Sequence, residues 1–400
     1  MVASAEGPAT AISTAGWCEV RFDQMVESIT ERVDNPSEAG VTRYVGLEHL
    51  DPESLHLRRW GQPTDVEATK LRFWPGDIIY GRRRAYQRKL AVAKFEGICS
   101  AHALVVRARP RTVLPEFLPF FMQSDAFHER ALEISVGSLS PTINWRTLAQ
   151  QRFRIPPLDE QRRIAELLWA ADLVSVTSFQ ATQALEILKE TVAASLFQGT
   201  QADGKPMPCS NLCDEITVGI VLTPAKYYAI TGTPALRSLN VLPDRYDLND
   251  LVYLSREGQE LHRKSQLREG DVVIVRTGRP GDAAVVPGAM AGFNCIDLVI
   301  ARPSKRLRPH YLARFLNSAV GRRQTIAGSA GTAQQHMNVG AANKLIVPLV
   351  PMAEQDRVVG VLSEVDAALA TAEGRYEASR VLARRLREEL LYEGHLPRVH

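Results

Sequence analysis

"IPPLDEQRRIAELL", residues 155–168, passes from two prolines straight into charged and apolar residues at helical spacing. A second stretch, "VPMAEQDRVVGVL" at 350–362, does the same. Glu160-Gln161 and Glu354-Gln355 lie 194 positions apart, nearly half of the 400-residue chain. A helix start used twice at that distance calls for a test of internal duplication before any other reading.

The offset holds elsewhere. Gly76-Asp77 in "PGDIIYGRRR" matches Gly270-Asp271 in "EGDVVIVRTG", and "PEFLPFFMQS" (115–124) sits opposite "PHYLARFLNS" (309–318). Gly137 pairs with Gly331, Asn144 with Asn338, Pro157 with Pro351 and Asp172 with Asp366, all at 194. Only "GICSAHALVVRAR" and "FNCIDLVIARP" slip, by about two residues, as a loop insertion would produce. Each half has short β-branched segments that predict strands (77–80, 103–106, 271–275 and 298–301), then a proline-led helix (115–133 and 309–326).

Each half then runs into a long helix. Asp159 is placed to cap the first, with Glu160 in the first turn, where a carboxylate favours the positive end of the helix dipole. Ile164, Leu167, Ala171, Val174, Ser178, Ala181, Leu185, Leu188 and Val192 alternate spacings of three and four, a heptad seam. Leu362, Val365, Leu369, Ala372, Tyr376, Ser379, Ala383, Leu386 and Leu390 give the second seam. Forty helical residues make a rod of roughly 60 Å, so the two seams are expected to meet as an antiparallel pair. The expected fold is α+β: a pseudo-twofold repeat of two similar domains separated by a long antiparallel two-helix coiled coil. The boundaries are 1–157 for the first domain, 158–199 for the central helix, 200–350 for the second domain and 351–400 for the distal helix.

An apolar content of 45% is ample for packed cores, and a formal charge of +3 leaves attraction to polyanions to local patches. Five scattered cysteines resemble neither a disulfide framework nor a zinc site and fit a reducing compartment. No export signal and no membrane span are expected, because no apolar run approaches the roughly 20 residues a membrane helix needs.

Candidate chemistry is sparse, whereas candidate recognition residues are plentiful. Arg on guanine and Asn or Gln on adenine read base edges, while Lys and Arg hold phosphates. Arg82, Arg83, Arg84, Tyr86, Gln87, Arg88 and Lys89 offer both, in a run without one acid. The matching place in the second half holds Arg276, Thr277 and Arg279, with glycines that let the backbone approach a phosphate. Ser138, Ser140, Thr142 and Asn144 form a polar loop whose counterpart holds Gln334, Gln335, His336 and Asn338. Lys226, Tyr227, Tyr228, Arg237 and Asn240 are further candidates. A solvated charge run and plain polar loops are the ordinary structural alternatives. Asp271, Asp282 and Asp297 near strand-like segments could gather a metal, but strand-end carboxylates are commonplace. His49, His56, His102 and His336 are lone histidines, read as polar loop or surface groups.

The ordered motifs "YVGLEHLDPES", "GDIIYGRRR", "GSLSPTINW" and "IPPLDEQRRIAELL", with "LRSLNV", "GDVVIVRTGRPGDAAVV", "GTAQQHMNV" and "VPMAEQDRVVGVL" as their echoes, resemble the specificity subunit of type I DNA restriction and modification systems. The second copy departs from the usual form, with Met352-Ala353 where Leu158-Asp159 stands in the first. The resemblance implies that each globule is a target recognition domain reading one half of a split double-stranded DNA sequence. It also implies that the helices set the spacer and dock two methyltransferase subunits, which restriction and translocase subunits join. Ile164, Leu167, Leu185, Leu188, Leu362, Val365, Leu369, Leu386 and Leu390 would carry that helical role. The chain itself would be cytoplasmic, non-catalytic and free of cofactor. S-adenosylmethionine would belong to the methyltransferase partner, and ATP and Mg to the restriction partner. Because the reading loops differ while the framework agrees, the expected target is asymmetric.

Two other readings stay open. One is a stand-alone helical interaction or oligomerisation protein with an incidental basic patch. The other is a single-chain DNA methyltransferase or nuclease. The nearest approach to a methyltransferase tetrapeptide, Asn35-Pro36-Ser37-Glu38, lacks the second proline and the aromatic residue. No phosphate-binding glycine loop, nucleophile elbow or zinc-protease motif is present in the sequence.

Overall fold

The repeated Gln161 and Gln355 anchor the long helices in the same way, and they show how the chain is built. The computed structural model describes residues 16–222, 224–328 and 336–391. Its contacts form two units, one from the chain up to Ser178 together with Arg375 onward, the other from Phe179–Gly374. This division runs through both long helices, so neither helix is a separate domain.

In the first unit, an antiparallel sheet orders the strands Val26–Ile29, Ala103–Ala108, Ile78–Gly81 and Leu90–Val92. The second unit repeats that order with Cys213–Val218, Leu298–Pro303, Val272–Val275 and Ala283–Val285. Both sheets start from the same turn. Gly76 and Gly270 have φ of +90° and +84°, and the next residue, Asp77 or Asp271, accepts a backbone hydrogen bond from Trp74 or Arg268. Those buried carboxylates then pair with Arg107 and Arg302. Burial pushes the Asp271 carboxyl up, against the pull of Arg302. The Arg partners stand 195 positions apart rather than 194, and so do Val106 and Ala301 opposite Ile78 and Val272. The slip seen in the sequence is therefore one residue, not two.

A smaller four-stranded sheet follows in each unit, but its order differs. Arg32–Val33, Lys70–Phe73, Gly97–Ser100 and Tyr44–Val45 stand in one. The other has Tyr228–Ala229, Val252–Leu254, Thr233–Leu236 and Asn294–Cys295. The units share one sheet and diverge at the second.

The helix expected over 115–133 is two, Leu118–Gln123 and Asp125–Glu133; likewise 309–326 is Pro309–Asn317 and Ala319–Gly328. Ser124 and Ser318 break them. Each adopts extended backbone and donates its hydroxyl to the carbonyl three residues before, Phe121 or Phe315, while accepting from the amide three residues after. A serine that caps a new helix stops the old one, an effect that apolar periodicity does not report.

The central helix spans Leu158–Asp203 and the distal helix Met352–Leu390. Asp159 is a first-turn residue rather than the cap, since Pro157 and Pro351 precede the helices and accept from Gln161 N and Gln355 N. The buried amides hold the helix ends to the sheet domain. Gln161 Oε1 accepts from Leu114 N at 2.8 Å, and its Nε2 donates to Thr112 O and Pro156 O. Gln355 repeats this with Arg308 N, Arg306 O and Val350 O.

In the first unit Ile164, Ala165 and Leu168 of the central helix share a core with Leu390 and Leu391. In the second, Phe197 shares one with Val358 and Leu362, and Lys189 pairs with Asp366 at 2.7 Å. The two helices therefore run antiparallel, as expected. The distal seam is inward at Leu362, Val365, Leu369, Leu386 and Leu390. On the central helix alternate positions are shifted by one. Leu167 and Leu188 are 42% and 47% exposed and Val174 is also exposed, whereas Leu168, Ser175, Thr182 and Lys189 take the inward places beside Ile164, Ala171, Ser178 and Leu185. The inward face includes small hydroxyl residues and an ion-paired lysine, so choosing the apolar residue at each turn gave the wrong phase. Among the described residues no helix is long and apolar enough to cross a membrane.

Candidate nucleic-acid interface

The strand Ile78–Gly81 delivers the basic run to a surface that a second loop completes. Thr142 and Val136 exchange backbone hydrogen bonds, closing a hairpin around Gly137, whose φ of +111° suits a residue without a side chain. That hairpin lies along the basic run. Ile143 N donates to Arg82 O at 2.9 Å, Arg84 N to Pro141 O at 2.8 Å and Arg83 Nε to Ser140 Oγ at 3.0 Å. The two groups of residues expected to read DNA in the first half are thus one surface.

Arg83, Arg84, Ser138 and Asn144 are exposed, and Tyr86 is 52% exposed beside them. Others in the run are engaged within the unit. Arg82 Nη2 donates to Ala101 O at 3.1 Å, while its buried Nε has no partner. Arg88 pairs with Glu53 at 3.3 Å and with Asp125, and Lys89 Nζ donates to Leu47 O at 2.8 Å. Thr142 Oγ1 donates to Ser140 O, Gln87 is half-buried, and the Asn144 side chain accepts from Arg146 N as a helix cap. Tyr86, Arg88, Lys89, Glu53, Asp51 and Arg59 line a cavity of about 520 Å³ next to the run.

The second unit repeats the junction at the same offset. Met337 N donates to Arg276 O at 3.0 Å, as Ile143 N does to Arg82 O. Arg276 also reaches Met337 O, Asp297 at 2.6 Å and His336 Nε2 at 2.5 Å, and Thr277 Oγ1 donates to Asp297. Arg279 donates to Val241 O and faces Asp282 at 3.4 Å. Between them Gly278, at φ +83°, would meet no atom within 4 Å if it carried a Cβ, so its backbone is open to a ligand. Asn338 caps the helix Val339–Lys344 by accepting from Ala341 N, as Asn144 does in the first unit. Arg237 Nη2 donates to Asp250 O, and its buried Nε lacks a partner. Gln334 and Gln335 lie outside the described residues.

Backbone strain falls on the same surfaces. The six non-glycine residues with positive φ among the described residues are Glu53, Arg84, Arg88, Asp244, Asp250 and Asp297. Arg84 and Arg88 lie within the basic run and Glu53 pairs with Arg88; Asp297 and Asp250 accept from Arg276 and Arg237, and Asp244 from Arg314. Such conformations persist where surroundings over-determine them and concentrate at ligand-gripping sites. Sequence reasoning weighed Asp297 only as a possible metal ligand and missed Glu53, Asp244 and Asp250, because their roles depend on contacts between distant segments. It also missed the exposed Val136 at the base of the hairpin and Leu139 within its loop. Of the histidines, His56 faces Asp172 at 2.7 Å and His336 faces Arg276.

The family profile described as "Type I restriction modification DNA specificity domain" matches residues 62–186. The chain is 29% identical over 196 residues to the type I restriction enzyme EcoDI specificity subunit of Escherichia coli, covering 46% of this chain and 42% of that protein. It is 23% identical over 390 residues to the EcoKI specificity subunit of Escherichia coli strain K12, covering 86% and 82%. The EcoDI alignment thus spans less than half the length of that relative. A chain from a solved structure on complex assembly and conformational transition of the type I R-M system aligns over 96% of this chain and 99% of its own, with a TM-score of 0.63 and 21% identity, and shares the fold. By the profile match over residues 62–186 and by these relatives, the chain is similar to the type I restriction-modification specificity subunits.

Proposed function

We propose that this chain is the non-catalytic sequence-recognition subunit of a type I restriction-modification enzyme. Each unit reads one half of a bipartite, asymmetric double-stranded DNA target. The observation that carries this reading is the junction of Arg82 with Ile143, repeated as Arg276 with Met337, which joins a basic loop to a polar loop at the same place in both units. Exposed Arg83 and Arg84 supply phosphate contacts in the first unit, and the open backbone at Gly278 with Arg279 does so in the second. The side chains around each junction differ, which is why we expect two different half-sites.

In this reading the antiparallel helices set the unread spacer and receive two methyltransferase subunits, with restriction subunits joining in the cytoplasm. The chain holds no cofactor of its own. S-adenosylmethionine enters with the methyltransferase, and ATP and Mg with the restriction subunits.

Co-expression with the cognate methyltransferase followed by methylome sequencing tests the reading. The expected result is one split, non-palindromic motif that depends on this chain; a palindrome or no motif sinks it. Binding of the purified complex to duplex DNA should fall about 10³–10⁵-fold between 50 and 200 mM salt if six to ten phosphates are held.

A further inference from the structure

The basic run of the first unit is held from an unexpected direction. Arg387, near the end of the distal helix, is 5% exposed and donates from Nη1 to Gln123 Oε1 at 3.1 Å and from Nη2 to Glu53 Oε2 at 3.0 Å. Glu53 passes the link on, its Oε1 lying 3.3 Å from Arg88 Nη1. Arg88 pairs through Nη2 with Asp125, whose backbone N–H donates to Glu388 Oε2 at 3.0 Å, one residue beyond Arg387. The circuit is closed: two residues of one helix turn hold both acids that hold Arg88.

Charge and conformation explain why the circuit matters to the loop. Arg84 and Arg88 bracket the single turn Ala85–Gln87, and both are left-handed, as is Glu53. Each such residue costs about 1–3 kcal/mol and keeps its conformation only while its neighbours enforce it. Arg88 is enforced by Glu53 and Asp125, and Glu53 in turn is oriented by the buried guanidinium of Arg387, whose planar fork can serve Gln123 and Glu53 together. Removing Arg387 leaves Glu53 with one partner and frees the turn that carries Tyr86 between the exposed Arg84 and the cavity.

The second unit links its distal helix differently: Asp244, with positive φ like Glu53, pairs with Arg314, which also pairs with Asp366 of that helix. The positions 194 away from Glu53, Arg88 and Arg387 are Asp247, Asp282 and Ala193, so the first acid is kept while one arginine is replaced by an acid and the other by an uncharged residue. Asp282 instead pairs with Arg322 and Arg279.

We propose that Arg387 is a positioning residue for DNA reading by the first unit alone, acting through Glu53 and Arg88 on the Arg84–Lys89 turn. This rests on the proposed DNA-reading function. It adds that the far end of the distal helix belongs to the specificity machinery of one half-site.

The test is methylome sequencing of a host carrying the full chain with its cognate methyltransferase, as wild type and as Arg387→Met, Arg387→Lys, Arg88→Met and the R88M/R387M double variant. In R387M, methylation at sites mismatched in one half of the motif should rise by roughly tenfold, within the range a single base mismatch commands. The other half-site should stay as stringent as in the wild type. R88M should relax the same half, the double variant no more than the worse single one, and R387K should fall between wild type and R387M. Unchanged stringency in both halves overturns the proposal, and so does equal relaxation of both, which marks a merely structural arginine. If R387M does not accumulate, Glu53→Gln breaks the link from the loop side, and the same outcomes decide. A wild-type chain that yields no motif and binds no duplex DNA overturns the underlying function; a normal wild-type motif with an indifferent R387M overturns only the latch.

Discussion

Gln355 makes, 194 positions later, the same set of hydrogen bonds as Gln161: one accepted from a backbone N–H and two donated to carbonyls of the chain that leads into its own helix. The glutamine sits one turn inside the helix and satisfies loop groups that burial would otherwise leave orphaned. This is why the helix start recurs with Gln while its neighbours vary from Leu158-Asp159 to Met352-Ala353.

Replacing either glutamine by leucine keeps the volume and strands the backbone groups. Gln161→Leu and Gln355→Leu should each cost about 2–4 kcal/mol, because an unsatisfied buried polar group costs about 1–3 kcal/mol. Urea unfolding of the two variants measures it. A loss below about 0.5 kcal/mol, the range of an ordinary surface change, would show the anchor to be incidental.

The phase of the central seam makes a paired prediction. Leu168 is 2% exposed within the first unit's core, so Leu168→Ala should destabilise by about 2–4 kcal/mol. Leu167→Ala and Leu188→Ala should stay within about 0.5–1 kcal/mol, since their side chains already face solvent. Thermal melts of the three variants check the order, and a reversed order would restore the seam read from apolar residues alone.

Within the basic run the arginines should separate by role. Arg83→Glu and Arg84→Glu are expected to weaken duplex DNA binding at least about tenfold and to lower the salt slope by about one per lost phosphate contact, with melting unchanged. Arg88→Glu puts a carboxylate against Glu53 and Asp125 and should lower the melting temperature as well. Fluorescence anisotropy across a salt series, paired with melting curves, distinguishes the two behaviours.

The same ion pairs predict an acid limb. Burial alone would raise the Asp125 carboxyl, but the hydrogen bond and charge of Arg88, with Arg384 and Arg387, hold it below the usual range. A carboxyl lowered on folding adds stability that is present above its unfolded pKa of about 3.9 and disappears as pH falls through the folded value. The stability difference between wild type and Asp125→Asn should be constant from about pH 5 to 8 and shrink below about pH 4. Denaturant midpoints across that range would contradict the assignment if the difference grew on acidification.

The duplicated framework was legible because it depends on local signals. Prolines before helices, Gly-Asp turns and β-branched runs each act within a few residues, and their repetition at one offset removes coincidence. The basic run and the polar loop were legible for the same reason. Their union was not: Arg83 meets Ser140 across 57 positions, and nothing in either segment announces the other. The seam failed on the central helix because Ser175, Thr182 and Lys189 face inward on the strength of small size and an ion pair rather than apolarity. Arg88 read as a ligand-binding cation until Glu53 and Asp125 were seen to occupy it.

The bond from Arg387 to Glu53 spans 334 positions, and Leu390 and Leu391 complete the core that Phe22 and Met25 begin. A ribosome emits the chain from its N-terminus, so the first unit emerges almost whole yet waits for the distal helix before its apolar surface is closed. The intervening unit, with its own core, can mature first. Folding order should therefore invert sequence order for the final step, and the early-made unit spends longest exposed to chaperones and proteases.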